Sequence, residues 1–88
     1  MLFMIVERFA NGDAAPVGER FRSRGRMLPE GVTYQASWLG TSGAICFQIM
    51  EAPDAASVEA WTHHWDDLAT FEIIPILTSA DYWSSRNA

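Results

Sequence analysis

The amino-acid sequence opens with a dense apolar run, LFMIVERF, at residues 2–9. The turn pair Asn11-Gly12 follows directly, so these residues are predicted to form a first strand. Both alternating sets of side chains in the strand are largely apolar. That pattern indicates a strand buried on both of its faces.

A helical pattern follows the turn. Asp13 is placed to cap the helix N-terminus, and Pro16 suits the first helical turn. Val17 and Phe21 form the apolar stripe of this helix. The helix is predicted to end before Pro29, because a residue ahead of a proline avoids the helical conformation.

Two further strands are predicted at residues 32–39 and 44–51, joined by the turn sequence GTSG. Asp54 then caps a second helix that carries four apolar residues at helical spacing: Val58, Trp61, Trp65 and Leu68. The last strand is predicted at residues 71–77, where Pro75 indicates an edge position in the sheet. A short helix from about Ser79 closes the chain.

This order, β-α-β-β-α-β, predicts an α+β fold: one ferredoxin-like domain over residues 1–88, with a four-stranded antiparallel sheet and two helices on one face. The other face of the sheet is left open. It measures about 400 Å², close to the largest apolar patch that soluble monomers usually expose. A second copy is therefore expected to cover it, giving a homodimer in which two open faces close on each other.

The hairpin suggests what would lie between two such sheets. If Gly40 pairs with Gly43, the apolar residues of both strands share one face and are expected to pack on the helices. The open face then carries a mostly polar set: Thr33, Gln35, Ser37, Cys46 and Gln48. We expect these five residues to line a cleft that holds waters or a small molecule. A single β-bulge in either strand would exchange the two faces.

The segment RFRSRGR holds four of the six basic residues of the chain. Arg20, Arg22 and Arg26 are predicted to be solvated at the end of the helix, where cations meet the negative end of its dipole. Arg24 falls at the edge of the apolar stripe. We expect it to pair with a carboxylate, and the alternative is that it binds an anionic group of a ligand.

Composition limits the partners and the location. A net charge of −5 argues against binding to nucleic acid and to anionic membranes. The single Cys46 cannot form an internal disulfide, and the apolar start is too short for a signal peptide, so a cytoplasmic location is expected. Glu59, His63 and Asp67 share one helix face, but it is the solvent side, and neither a metal nor another cofactor is expected.

Four phrases of the sequence carry a resemblance: MLFMIVERF, RGRMLPEGVTYQASW, CFQIMEAPD and FEIIPILTS. From Met1 to about Ser79 the chain resembles a small bacterial family classed as a domain of unknown function (DUF3303-like). That family has no established activity, so the resemblance implies no catalytic residue. The architecture also looks like the dimeric α/β barrels, which include cofactor-independent monooxygenases, lactone isomerases, haem-degrading enzymes and stress-response proteins. This second likeness concerns the fold alone.

Two hypotheses about function follow. In the first, a homodimer binds a small, partly apolar molecule in the cleft between its sheets, either to sense it or to act on it by cofactor-independent oxygenation or isomerisation. In the second, the chain is a structural or protein-interaction domain without a ligand pocket. The sequence leaves open whether the protein is an enzyme. If the protein is an enzyme, we expect a pocket that contains an ionisable group with a perturbed pKa.

Overall fold

In the computed structural model, which describes residues 1–86, four strands form one antiparallel sheet in the order β2-β3-β1-β4. The strands are β1 (Leu2–Phe9), β2 (Thr33–Leu39), β3 (Ile45–Glu51) and β4 (Ala69–Ile76), and the helices are α1 (Ala15–Arg24), α2 (Ala55–Thr62) and α3 (Ser79–Arg86). This succession and strand order confirm the predicted ferredoxin-like α+β fold. Pro75 lies in the edge strand β4, as expected.

The helix ends follow from local chemistry. Asp54 caps α2, since its carboxylate accepts hydrogen bonds from the backbone N–H (2.9 Å) and the hydroxyl (2.7 Å) of Ser57. Gly25 ends α1 with a φ of 71°, a conformation that glycine adopts at little cost. The second helix is shorter than predicted: it ends at Thr62, and Trp65 follows in a turn that still brings it into the core.

The core lies between one face of the sheet and the helices. Phe3, Ile5 and Met50 from the central strands are fully buried against Val58 and Trp61 of α2. The Trp61 ring also meets Phe71 of β4 edge to face, with 5.5 Å between ring centroids. We call this helix-covered side of the sheet the helix side, and the opposite side the open face.

The prediction that Ser37, Cys46 and Gln48 point to the open face was wrong. In the structure Gln48 pairs with Ile5 and Ser37 pairs with Gln48, so these side chains share the face of Ile5, on the helix side. The prediction assumed that the more apolar set of hairpin residues packs on the helices. The register of β3 with β1, which the hairpin alone does not determine, places that set on the open face instead.

A β-bulge between Tyr34 and Ala36 separates the remaining two hairpin residues from this group. Gln35 is the extra residue of the bulge and is exposed. Thr33 pairs with Glu51 and stays on the open face, as predicted. The five polar residues are therefore divided between two sides of the sheet.

The open face is apolar in the centre and charged at its ends. Its cross-strand rows bring together Ala36, Trp38, Phe47, Ile49, Met4, Val6 and Ile74. At one end Arg8 lies 3.5 Å from Glu72, and at the other the amino group of Met1 lies 2.9 Å from Glu51. The centre of this face is uncovered, since Trp38 and Phe47 remain 55% and 37% exposed.

Helix α3 packs little on the rest of the molecule. All of its residues are exposed, and the long axis of the molecule reaches 47 Å. The radius of gyration is 14.1 Å, against roughly 12 Å for a compact domain of this length. Leu77, Tyr82 and Trp83 thus present apolar surface at one end of the protein.

Candidate functional site

A partly open cavity of about 230 Å³ lies on the helix side, between the sheet and the first two helices. Phe9, Val17, Phe21, Trp61 and Trp65 give it largely apolar walls. The polar side chains that reach it are few: Glu7, Arg26, Ser37, Cys46 and Gln48. An apolar cavity with a small number of convergent polar groups is the usual form of a small-molecule site.

Glu7 is the chemically distinctive residue of the cavity. It stands in the otherwise apolar row of β1 that faces the helices, and only 4% of its surface is exposed. Burial raises the pKa of its carboxyl group to about 7, although the hydrogen bond from Gln48 and the charge of Arg26 act in the opposite direction. Both the acid and the carboxylate are therefore available near neutral pH.

Gln48 positions this carboxyl group. The two residues lie on neighbouring strands, and Gln48 Nε2 donates a hydrogen bond of 2.9 Å to Glu7 Oε1. Both partners are buried, so the bond forms in an environment of low dielectric, where it is stronger than in water. Within residues 1–86 no donor is found for the second oxygen, Oε2.

Arg26 brings a positive charge to the same cavity. Its guanidinium lies 3.6 Å from the centroid of the Tyr34 ring and 5.0 Å from that of Phe21. The aromatic faces hold the cation in place by cation–π attraction. Among the described residues it has no carboxylate partner within 4.0 Å, so its charge is free to meet an anionic oxygen.

The two tryptophans of the cavity wall differ in their polar atoms. Trp61 Nε1 donates to the backbone carbonyl of Arg26 at 2.9 Å, which ties the segment after α1 to α2. Trp65 is 3% exposed, and its Nε1 has no hydrogen-bond partner within residues 1–86. A buried N–H without an acceptor is costly to the folded state.

Cys46 and Ser37 complete the polar part of the lining. Burial, with the nearby carboxyl of Glu7, raises the pKa of the Cys46 thiol to about 11. The thiol is therefore neutral and behaves as a small buried hydrophobe. The Ser37 hydroxyl lies 2.7 Å from the hydroxyl of Tyr34, which links it to the ring beneath Arg26.

The structure thus brings together three of the six predicted ligand-binding residues, Ser37, Cys46 and Gln48, in a cavity within one chain. Thr33 and Gln35 lie elsewhere, on the open face and in the bulge. Arg24 is exposed and lies outside this cavity. Among residues 1–86 Arg24 forms no ion pair, so the prediction that it pairs with a carboxylate was wrong.

The predictions for the other arginines were wrong at two positions. Arg20 binds both oxygens of Asp67, at 2.7 and 2.8 Å, and donates to the backbone carbonyl of His64 at 2.8 Å. This pair fastens α1 to the turn after α2. Arg26 stacks in the cavity instead of extending into solvent, whereas Arg22 is exposed as expected.

Sequence reasoning missed Glu7 and Arg26. A signal for Glu7 was present, because it occupies the same alternating row as Phe3, Ile5 and Phe9 and so interrupts an apolar face. No comparable signal marks Arg26: its position depends on how the segment after Gly25 returns to the sheet.

Replacing Arg26 by methionine is expected to raise the pKa of Glu7 further, because the favourable interaction of the carboxylate with the cation is lost. The change is measured by following the Glu7 side-chain carboxyl carbon in an NMR titration. Arg24→Met is the matched control, since it removes a charge of the same segment outside the cavity. A Glu7 pKa that is equal in the two variants contradicts the assigned position of Arg26.

No group of three or more potential metal ligands is found within residues 1–86. No helix of that part of the chain is long and apolar enough to cross a membrane.

Comparison with known proteins gives one result. The family model for the domain of unknown function DUF3303 matches residues 1–85, almost the whole chain. The searches of curated proteins and of solved structures give no match.

Proposed function

We propose a function for this chain, which belongs to the DUF3303 family, from the cavity on its helix side. The protein binds a small, largely apolar molecule that carries one or two hydrogen-bonding groups. The observation that carries this proposal is a buried carboxyl group, that of Glu7, in a largely apolar cavity wall. Charged residues are rarely this buried unless they are paired, and no cation within 4.0 Å pairs with Glu7 among residues 1–86.

The size and lining of the cavity define the class of ligand. A cavity of about 150 Å³ in another protein holds benzene, so a volume of about 230 Å³ suits a substituted or bicyclic ring. Trp61, Trp65 and Phe9 offer flat apolar surface to such a ring. The polar group of the ligand meets Glu7, Gln48 or Arg26.

The bicyclic ketone 2-indanone is a suitable probe, and its binding is followed through the indole N–H resonances of Trp61 and Trp65. Gly18 lines the cavity, and a Cβ added there meets no heavy atom within 4 Å. Gly18→Phe is expected to fill part of the cavity and weaken binding by about tenfold or more.

Gly18→Ala is the matched control. It is expected to leave 2-indanone binding unchanged while stabilising α1 by about 1 kcal/mol, because alanine favours the helix over glycine. Equal affinity for 2-indanone in the phenylalanine variant and the wild type would place the ligand outside this cavity. No binding to the wild type would contradict the proposed function for this ligand class.

We also propose that the protein works as a cytoplasmic homodimer in which two open faces pack on each other. The apolar centre with charged ends resembles a protein–protein interface, which has an apolar core and a polar rim. A two-fold axis lets the same surface serve both partners. Cys46 is the single cysteine of the chain, and no internal disulfide is possible, in keeping with a reducing compartment.

A protein-interaction domain is the second candidate function, and one observation favours it. Leu77 and Trp83, at the end that carries α3, are each about 60% exposed. Native mass spectrometry on the untagged protein separates the candidates. A dimer that retains a small molecule supports the first function, whereas a ligand-free protein that carries a macromolecule lost on Trp83→Ser substitution supports the second.

A further inference from the structure

We infer that Glu7 transfers a proton to and from the molecule bound in the cavity, so that the protein interconverts the keto and enol forms of a small, largely apolar ketone. This inference rests on the proposed function, because it requires a ligand in the helix-side cavity. It goes further in assigning a reaction, a substrate class and a catalytic residue.

The placement of the Glu7 carboxyl group suits a base. Its Oε1 is held by Gln48 Nε2 at 2.9 Å, which fixes the orientation of the group. Its Oε2 has no donor within residues 1–86, and the residue lines the cavity. A carboxyl group with one oxygen anchored and the other free can reach a proton of a bound ligand without first breaking a hydrogen bond.

The guanidinium of Arg26, with its N–H donors, belongs to the lining of the same cavity and has no carboxylate within 4.0 Å among the described residues. Proton removal beside a carbonyl group places negative charge on its oxygen. Donors that are already in place for that charge lower the barrier, because they need no rearrangement during the reaction.

The groups around Glu7 set its protonation. Strand β3 contributes Gln48 and Cys46, whose thiol is neutral, and β4 contributes the apolar Phe71. Helices α1 and α2 and the turn after α2 contribute apolar residues and the two indole rings, and Arg26 supplies the one cation that lines the cavity within residues 1–86. In these surroundings the pKa of Glu7 rises to about 7, where a group can both accept and return a proton at neutral pH.

The reaction is balanced without a further reagent. Glu7 Oε2 takes a proton from the carbon next to the ketone carbonyl. The electron pair of that C–H bond forms a carbon–carbon double bond, and the carbonyl π pair moves to oxygen, where the charge faces the donors. The protonated Glu7 then returns the proton to the oxygen, which gives the enol, or to carbon, which gives the ketone again.

The test uses 2-indanone in D₂O. Each removal of a ring proton followed by return from an exchanged carboxyl group places deuterium next to the carbonyl, and ¹H NMR follows the loss of signal. The full-length protein is expected to accelerate this exchange by about 10² or more over buffer alone. The rate is expected to rise with pH through about 7, because the carboxylate is the base.

Glu7→Gln keeps the shape and the contact with Gln48 but removes the base, and exchange is expected to fall to within a few-fold of the buffer rate. Glu7→Asp, which withdraws the carboxyl group by one methylene, is expected to bind 2-indanone and exchange it more slowly than the wild type. Glu72→Gln is the control: it alters an exposed glutamate on the open face and should leave the exchange rate unchanged.

Binding and exchange are scored separately in each variant. If 2-indanone shifts the Trp61 and Trp65 resonances but its exchange is not accelerated, or if Glu7→Gln retains the acceleration, the inference is overturned and the binding function stands. If the wild type does not bind 2-indanone, the binding function and this inference both fail.

Discussion

Replacing Glu7 by glutamine is expected to increase the free energy of unfolding by about 3 kcal/mol above pH 7, because the wild-type pKa of about 7 lies well above its ordinary value of 4.5. The folded protein keeps this carboxyl group buried and favours its neutral form. Above pH 7 the group ionises within the core, and the folded wild type is less stable as a result. Glutamine has a similar shape and no charge, so it avoids this cost.

The difference in the free energy of unfolding between Glu7→Gln and the wild type depends on pH. Since folding raises the pKa of Glu7, its neutral form stabilises the folded state fully below 4.5, and this contribution is lost as the pH rises to about 7. The stabilities of wild type and Glu7→Gln should therefore be similar near pH 4 and diverge up to about pH 7. Above that, the difference should stay constant.

Urea denaturation across this pH range provides the measurement. Glu72→Gln is the matched control, because Glu72 belongs to the neighbouring strand β4 but is exposed beside Arg8. Its effect is expected to stay within about 0.5 kcal/mol at every pH. A Glu7→Gln variant that is less stable than the wild type at pH 8 would show that Glu7 is not a buried carboxyl group with a raised pKa.

The expected gain in stability favours a functional role for Glu7. Stabilising substitutions are readily available to most proteins, and their usual cost is lost function where the original residue serves a functional site. Buried carboxyl groups with raised pKa values cluster at functional sites. The expected stability cost of Glu7 thus favours the cavity over the exposed Arg22 and Arg24 as the functional site.

The sequence was sufficient to predict the fold for a physical reason. The apolar alternation of β1, the Asp54 cap and the position of Pro75 are local signals, and each constrains one element. Because crossover connections between parallel strands are right-handed, six elements in this order can be arranged in only a few topologies. The observed strand order β2-β3-β1-β4 is the ferredoxin-like one.

The site could be predicted only in part, because it depends on contacts between distant segments. Ser37, Cys46 and Gln48 were correctly grouped on one face, since period-two alternation is local. Which side of the sheet that face occupies depends on pairing with β1, where Gln48 meets Ile5. The rule that apolar residues face the helices failed, because the open face of this sheet is itself strongly apolar.

The second large effect is expected from a substitution on this apolar open face, which should weaken the proposed homodimer. About 800 Å² per partner is typical of a stable interface, roughly twice the area of the sheet face alone. The apolar residues beside α3, among them Leu77 and Trp83, lie at one end of the molecule and can supply further area in a dimer. Trp38 is the largest side chain of the open face and is 55% exposed, which makes it the expected anchor of the contact.

Trp38→Lys is therefore expected to weaken the homodimer by about thirtyfold or more, because a tryptophan anchor is lost and a charge enters the contact. Sedimentation velocity over a range of concentrations measures the dissociation constant. Leu39→Lys is the matched control: Leu39 is the next residue of β2 and is 60% exposed, but it points to the helix side. If both variants dissociate equally, or if both remain dimers, the open face is not the interface. Loss of the dimer in Trp38→Lys alone would show that the open face is the interface. Successive residues of the edge strand β2 would then serve different sides of the sheet: Trp38 the dimer contact, and Leu39 the side with the cavity that contains Glu7.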